Sequence, residues 1–287
     1  MSLVALGLVL LSALCHATWN LFAKRVPSGI PFVWLFDTLA VVVYAPFALW
    51  LLATRPVAFG WPHLLVVLGS SLLHLGYFLS LQRGYRTGDL SLVYPLARGT
   101  GPLLSTLGAI VLLGERPTAW ALVGGLLVVV SVFLLAGGDV LVRHRAEVPR
   151  ALRFALLTGA FIASYTLFDA LAVTAFLLPP LLFNWLGNAG RAMLLTPSAL
   201  RRWPEVRLTW RKHPGAVVAV AVLSPLAYIL VLTALVFTPV SYVAPAREVS
   251  ILVAAVMGAS LLNEGQVKRR LLAASLIVVG IVLLTLG

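Results

Sequence analysis

Charged side chains make up only 10% of this 287-residue chain, against 61% hydrophobic residues. A sequence so poor in polar surface cannot clothe a water-soluble globule, and its mean hydropathy of +1.03 places it in a bilayer. Cysteine is nearly absent, and the single Cys15 rules out an intramolecular disulfide scaffold. The five histidines are scattered without the spacing of a metal centre. No P-loop, dinucleotide fingerprint or G-x-S-x-G elbow occurs, so neither nucleotide chemistry nor an intramembrane hydrolase is indicated, and no cofactor is expected. The net charge of +12 would suggest nucleic acid in a soluble domain. Here the basic residues lie in short breaks between apolar runs, where lipid headgroups and topology account for them and a nucleic-acid partner does not.

What the chain has in abundance is long apolar runs. A spanning helix needs about twenty residues, and ten such segments fit between charged or Pro/Gly-rich breaks: 3–23, 31–53, 62–82, 90–113, 117–137, 152–173, 177–197, 215–237, 241–262 and 268–286. Pro179-Pro180 marks the start of the seventh. The runs are too long and too continuous for the alternating strands of a membrane β-barrel. The first run has no basic leader and no A-x-A cleavage pattern, so it is expected to stay as a span.

The segments repeat. Val93–Glu115 reads V-Y-P-L-A-R-G-T-G-P-L-L-S-T-L-G-A-I-V-L-L-G-E, and at a constant offset Ala97-Arg98 falls on Ala246-Arg247, Leu103 on Leu252, and Glu115 on Glu264. Trp19-Asn20-Leu21-Phe22 matches Tyr165-Thr166-Leu167-Phe168, and Phe32-x-Trp34-Leu35-x-Asp37 matches Phe183-x-Trp185-Leu186-x-Asn188. The expected fold is therefore all-α, with ten transmembrane helices as two five-helix repeats, residues 1–137 and 151–287, joined by a charged linker at 138–150. Five is odd, so the second repeat must be inverted with respect to the first, the common construction of secondary transporters.

The 21 Lys and Arg residues sort sharply. Arg98, Arg191 and Arg247 fall inside apolar segments. Arg55 and Arg116 flank one side, and the remaining sixteen lie in the breaks after odd-numbered helices. The positive-inside rule then puts those breaks in the cytoplasm and both termini outside, as a multi-pass protein of a bacterial inner membrane.

Taken together, His16–Lys24 (H-A-T-W-N-L-F-A-K), Leu112–Thr118 (L-L-G-E-R-P-T) and the closing L-L-N-E-G-Q and L-I-V-V-G-I-V-L-L runs resemble the EamA-type members of the drug/metabolite transporter superfamily. The resemblance covers nearly the whole chain. It implies two inverted five-helix repeats, a central cavity, and movement of small metabolites such as amino acids, nucleotide sugars, sugar phosphates or drugs without ATP. It also implies cytoplasmic termini, opposite to the charge count, which we retain. The membrane glutamate that small multidrug relatives carry in their first helix is missing here, where Ser12, His16 and Asn20 stand instead.

An arginine at membrane depth costs roughly 2.5–3.5 kcal/mol on insertion scales, so Arg98 and Arg247 need a reason. Either they contact an anionic substrate or they form structural pairs with Glu248, Asp37 or Asp169. Each follows a proline, Pro95 and Pro245, which frees a carbonyl one turn earlier. Ser12, His16 and Asn20 share one face of the first helix, and Asn184, Asn188 and Arg191 one face of the seventh. Both stripes read as cavity lining or as interhelical hydrogen bonds, with Arg191 either snorkelling to the interface or contacting substrate. His74 is either a packed histidine or a switch for a coupled proton. Trp19 and Tyr94 complete the candidate substrate-binding set of Arg98, Arg247, His16, Asn20, Asp37, Asn184, Asn188 and His74. Glu115 and Glu264 read as helix-boundary residues. The expected partners are the lipid bilayer and a small anionic or zwitterionic metabolite, with a proton as candidate coupling ion. A flippase for a lipid-linked metabolite and a non-transporting membrane enzyme or scaffold are the alternatives.

Overall fold

The structure, a computed structural model, describes residues 1–24, 26, 29–55, 59–87, 90–136, 148–258 and 267–287. Helices α1 (Leu3–Ala23), α2 (Ile30–Thr54), α3 (Trp61–Thr87), α4 (Leu90–Leu112) and α5 (Ala119–Ala136) make the first half. The second half has α6 (Val148–Thr174), α7 (Pro180–Arg201), α8 (Trp203–Lys212), α9 (Pro214–Leu235), α10 (Val240–Ala246), α11 (Val249–Gly258) and α12 (Val267–Leu286). The linker expected at 138–150 lies mostly outside the described residues, as does Glu264. Among the described residues, five helical segments, Leu3–Ala23, Ile30–Thr54, Trp61–Leu81, Arg153–Thr174 and Pro214–Leu235, are long and apolar enough to cross a membrane.

Local chemistry sets the helix limits. The Ser2 hydroxyl accepts from Ala5 N–H at 3.2 Å and caps α1, and prolines in the first turn start α2, α7, α8 and α9, where their missing N–H is of no consequence. The helix α8 was not expected. It is short and amphipathic, with Glu205 in its first turn and Arg211 and Lys212 in its last, matching the helix macrodipole. Its Trp203 ring meets Trp34 edge-on at 6.1 Å.

The ninth expected segment is interrupted. Pro245 has no N–H to give, and at Arg247 and Glu248 the chain tightens. Glu248 N–H donates to Pro245 O at 3.0 Å, Ser250 N–H to Arg247 O at 3.1 Å and Ile251 N–H to Glu248 O at 2.9 Å, each three residues back. The equivalent stretch of α4 runs unbroken through Pro95.

The packing exchanges the two halves. The helix α4 lies against α6 as α11 lies against α1, α3 against α6 as α9 against α1, and α3 against α7 as α9 against α2. The pairs α2–α7 and α5–α12 map onto themselves. Side chains follow the same rule on α2–α7, where Trp34 Nε1 donates to Thr196 Oγ1 at 3.0 Å and its repeat counterpart Trp185 donates to Val41 O at 2.8 Å.

Polarity is arranged as a bilayer demands. Leu65, Val111, Leu112, Met193 and Val278 are exposed, whereas Ser12, Asp37, Asp169, Asn184, Asn188 and Glu248 are buried. Without a hydrophobic drive between helices in lipid, close approach must come from small residues. At the α5–α12 crossing a Cβ on Gly124 would lie 2.6 Å from Gly280 O, and one on Gly280 would lie 2.7 Å from Gly124 O. Gly124→Val should therefore lower the thermal midpoint of the detergent-purified protein sharply, by more than the roughly 1–3 kcal/mol of ordinary overpacking. Gly7→Ala, with open space around its Cβ, should leave the midpoint unchanged in the same melt.

Candidate functional site

A cavity of about 320 Å³ opens at the centre of the bundle, within the range of small-molecule sites. Its walls come from the C-terminal end of α1 (His16, Trp19, Asn20, Ala23), the start of α2 (Gly29, Phe32, Phe36), α3 from His74 to Leu81, Arg98 of α4, Tyr165 of α6, α7 (Asn184, Asn188, Arg191), α9 (Ser224 to Tyr228) and Arg247. Eight of the ten expected substrate-binding residues are thus brought together. Asp37 lies behind the wall and is buried, and the side chain of Tyr94 lies outside the described residues.

Three arginines line this cavity, and among the described residues no carboxylate does. The acids stand one layer back. Arg98 reaches Glu248 at 3.1 Å and donates to Ser250 Oγ at 3.1 Å. Arg191 grips Asp37 with two parallel bonds, Nε to Oδ2 at 3.2 Å and a terminal nitrogen to Oδ1 at 2.8 Å, the planar match that guanidinium and carboxylate favour. The same guanidinium donates to Asn188 Oδ1, so the repeat-equivalent residues Asp37 and Asn188 converge on one arginine. These contacts decide between the alternatives left open for Asp37 and Arg191. Asp37 serves Arg191 rather than Arg98 or Arg247, and Arg191 faces the cavity instead of snorkelling, because Asp37 supplies a buried partner that water would otherwise replace.

Arg247 differs from its repeat partner. It lies over the Tyr228 ring, 5.6 Å from the centroid, and has no carboxylate within salt-bridge distance among the described residues. The sequence says why. Glu248, which holds Arg98, has Gly99 as its counterpart in the first half, and a Cβ on Gly99 would lie 2.6 Å from the Phe133 ring. An acid there would require the Phe133 ring to move, and with glycine in its place the reciprocal pair is missing.

Several polar groups stand in the remaining lining, most of them engaged within the bundle. Trp19 meets His16 edge-on at 4.9 Å, and its indole Nε1 finds no acceptor among the described residues. Asn20 donates to His16 O at 2.8 Å and so is turned partly to its own helix. Asn188 donates to Asn184 Oδ1 at 3.3 Å, and both residues line the cavity. Ser12 lines the wall but is spent on Ala227 O at 2.7 Å.

One group was missed as a site. Asp169 had been considered only as an arginine partner, but it accepts from the Tyr228 hydroxyl and lies 3.8 Å from His74 Nε2. His74 stacks on Tyr165 at 4.2 Å and meets Tyr228 edge-on at 5.4 Å. An acid within an apolar helix was the available signal.

The opposite end of the bundle is closed. Both Glu115 oxygens accept from the first turn of α10, Val240 N–H at 2.7 Å and Ser241 N–H at 2.9 Å. Tyr242 donates to Gly287 O at 3.2 Å and accepts from Thr118 N–H at 3.3 Å, and the Met1 ammonium donates to Leu284 O at 3.0 Å.

An all-helical membrane bundle with an arginine-lined interior cavity fits a transporter of small molecules. The model of the EamA-like transporter family matches residues 3–137 and again 150–286, and the chain belongs to that family. A solved structure, described only as a crystal structure of a protein, resembles it with a TM-score of 0.76 at 18% identity over 98% of this chain and 96% of that one, a likeness of fold. None of the curated proteins matches.

Removing one partner of a buried ion pair costs on the order of 3–5 kcal/mol, because the other charge is stranded. Arg98→Gln should therefore reduce folded yield and thermal midpoint, and Arg98→Gln with Glu248→Gln should restore both. Arg247→Gln should melt close to wild type in the same assay.

Proposed function

We propose that the protein is a secondary transporter for a small anionic or zwitterionic metabolite, moved by alternating access through the central cavity. The observation that carries this reading is the cavity wall, with three arginines and no carboxylate among the described residues. Arg98 and Arg191 are matched by acids behind them, so Arg247 is the cation left for a substrate carboxylate or phosphate. Asn184 lines the same wall and offers a neutral amide. Phe32, Phe36, Phe78 and the tyrosines supply apolar surface for the rest of a compact solute.

In this reading ten segments cross the membrane as two inverted halves, residues 1–137 and 151–287, with 138–150 between them. The pairwise exchange of helix contacts supports it. The cavity wall extends to Ala23 and Gly29 at the α1–α2 end, while hydrogen bonds around Glu115 and Tyr242 seal the end that carries the termini. With the Lys/Arg-rich breaks in the cytoplasm of a bacterium, this is a state open inward, and rocking of the halves would reverse it. A topology reporter fused after Gly287 should read periplasmic. A cytoplasmic signal would overturn the orientation and leave the cavity argument intact.

Counterflow in proteoliposomes tests the substrate class with radiolabelled glutamate, phenylalanine, benzoate and glucose 6-phosphate as probes and tetraethylammonium as the cationic contrast. At least one anion or zwitterion should exchange. Arg247→Gln should weaken its apparent affinity by roughly tenfold to a hundredfold, as loss of a charge-assisted hydrogen bond of about 1.5–3 kcal/mol implies. Exchange of the cation alone, indifferent to Arg247→Gln, would refute the proposal.

A further inference from the structure

Among the described residues, three carboxylates lie in the interior of the bundle, and two of them are gripped by arginine. Asp37 has Arg191 and Glu248 has Arg98. Asp169 is wholly buried, yet no arginine among the described residues forms an ion pair with it. The Tyr228 hydroxyl donates to its Oδ2, His74 Nε2 lies 3.8 Å away, and among the described residues Oδ1 has no partner in ordinary hydrogen-bond geometry, the Ser70 hydroxyl beside the carboxyl being its nearest candidate. A buried polar atom left over is rare in a folded protein and asks for a ligand.

The unmatched acid and the unmatched arginine meet at one residue. Tyr228 presents its hydroxyl to Asp169 and its ring to Arg247. The titratable and charged groups around Asp169 are His74 from α3, Tyr165 on its own helix, Arg191 from α7, Tyr228 from α9 and Arg247 beyond it. Arg98 of α4 is engaged by Glu248. The cation most available to balance an ionised Asp169 is therefore Arg247, and at a distance.

We propose that Asp169 is a proton-binding site coupled to anion binding at Arg247, which makes the transporter a proton–anion symporter. The inference rests on the anion site proposed above. With the cavity empty, ionised Asp169 balances Arg247. An anion on Arg247 takes over that balance and leaves Asp169 as an excess buried charge. A proton from cavity solvent then bonds to a free carboxylate oxygen, turning carboxylate into carboxylic acid. Tyr228 keeps its proton and no other group changes charge. His74 lines the cavity and adjoins Asp169, so it stands on the route by which the proton enters. Coupling is reciprocal: if the anion favours the proton, the proton strengthens the anion, by a factor of about 5–150 in typical cases. Anion affinity should rise as pH falls through the titration of Asp169 and level off below it.

Two measurements test this. The first needs no substrate: infrared difference spectra of the purified, lipid-reconstituted protein across a pH titration should show a buried protonated carboxyl band. The band should vanish in Asp169→Asn, persist with shifted titration in Asp169→Glu, and be unaffected in Glu205→Gln on the exposed face of α8. Its absence in wild type, or its survival in Asp169→Asn, overturns the proposal whether or not any solute is transported. The second uses whichever of glutamate, phenylalanine, benzoate or glucose 6-phosphate exchanges in counterflow. A pH gradient, acid on the side of entry, should drive its accumulation, and Asp169→Asn should depress that accumulation at least tenfold more than it depresses counterflow at equal pH. Equal losses in both would make Asp169 structural and overturn the coupling. If no probe exchanges, the transport reading fails on its own while the infrared result still decides whether Asp169 holds a proton.

Discussion

Charge placed in a medium that cannot solvate it must find a partner, and the interior of this protein is arranged by that requirement. Three arginines project from apolar helices, each with a desolvation penalty of several kcal/mol if left alone. Two are answered by carboxylates from across the bundle. The Arg98–Glu248 contact joins α4 to the α10–α11 break, and the Arg191–Asp37 fork joins α7 to α2. Each ties a helix of one half to an element of the other, so the pairs that neutralise charge also fix how the halves meet. The cavity lies between these ties because the polar residues that face them cannot be turned to lipid.

Function on this reading comes from broken symmetry. Duplicated halves would give matched ion pairs, and matched ion pairs would leave nothing for a solute. Gly99 stands where the second half has Glu248, and Phe133 fills the space an acid would need. Ala40, completely buried, stands where the second half has Arg191. These two differences remove one acid and one arginine from the first half. The missing acid leaves Arg247 over; Asp169, which falls on Ala23 of the first half, is a further acid with no arginine partner among the described residues, and the proposed transport and coupling use these two. Pro245 adds to the difference, because the turn it induces carries Arg247 and Glu248 on adjacent residues in opposite directions, one to the cavity and one to Arg98.

The closed end depends on a different kind of contact. Glu115 takes two backbone donors that the start of α10 would otherwise leave unmade, and Tyr242 bridges Thr118 and Gly287. Hydrogen bonds of this sort are modest in net strength because water can replace them. A seal built from them, rather than from interdigitated side chains, is compatible with opening and closing at little cost.

The sequence by itself determined the environment, the helices and the duplication. Apolar runs of bilayer length, basic residues concentrated in alternate breaks and paired motifs such as Phe32-x-Trp34 and Phe183-x-Trp185 are one-dimensional patterns, and the packing of α2 on α7 follows them closely. It also pointed to the cavity wall, since His16 and Asn20, or Asn184 and Asn188, share a helix face by spacing alone. Which charge partners which was decided only in three dimensions. Asp37 and Arg191, or Arg98 and Glu248, are separated by more than a hundred positions, and spacing along a helix says nothing about what stands opposite. The interruption at Arg247 was equally hidden, because Pro95 and Pro245 look alike in sequence and only the packing around each decides whether the helix bends.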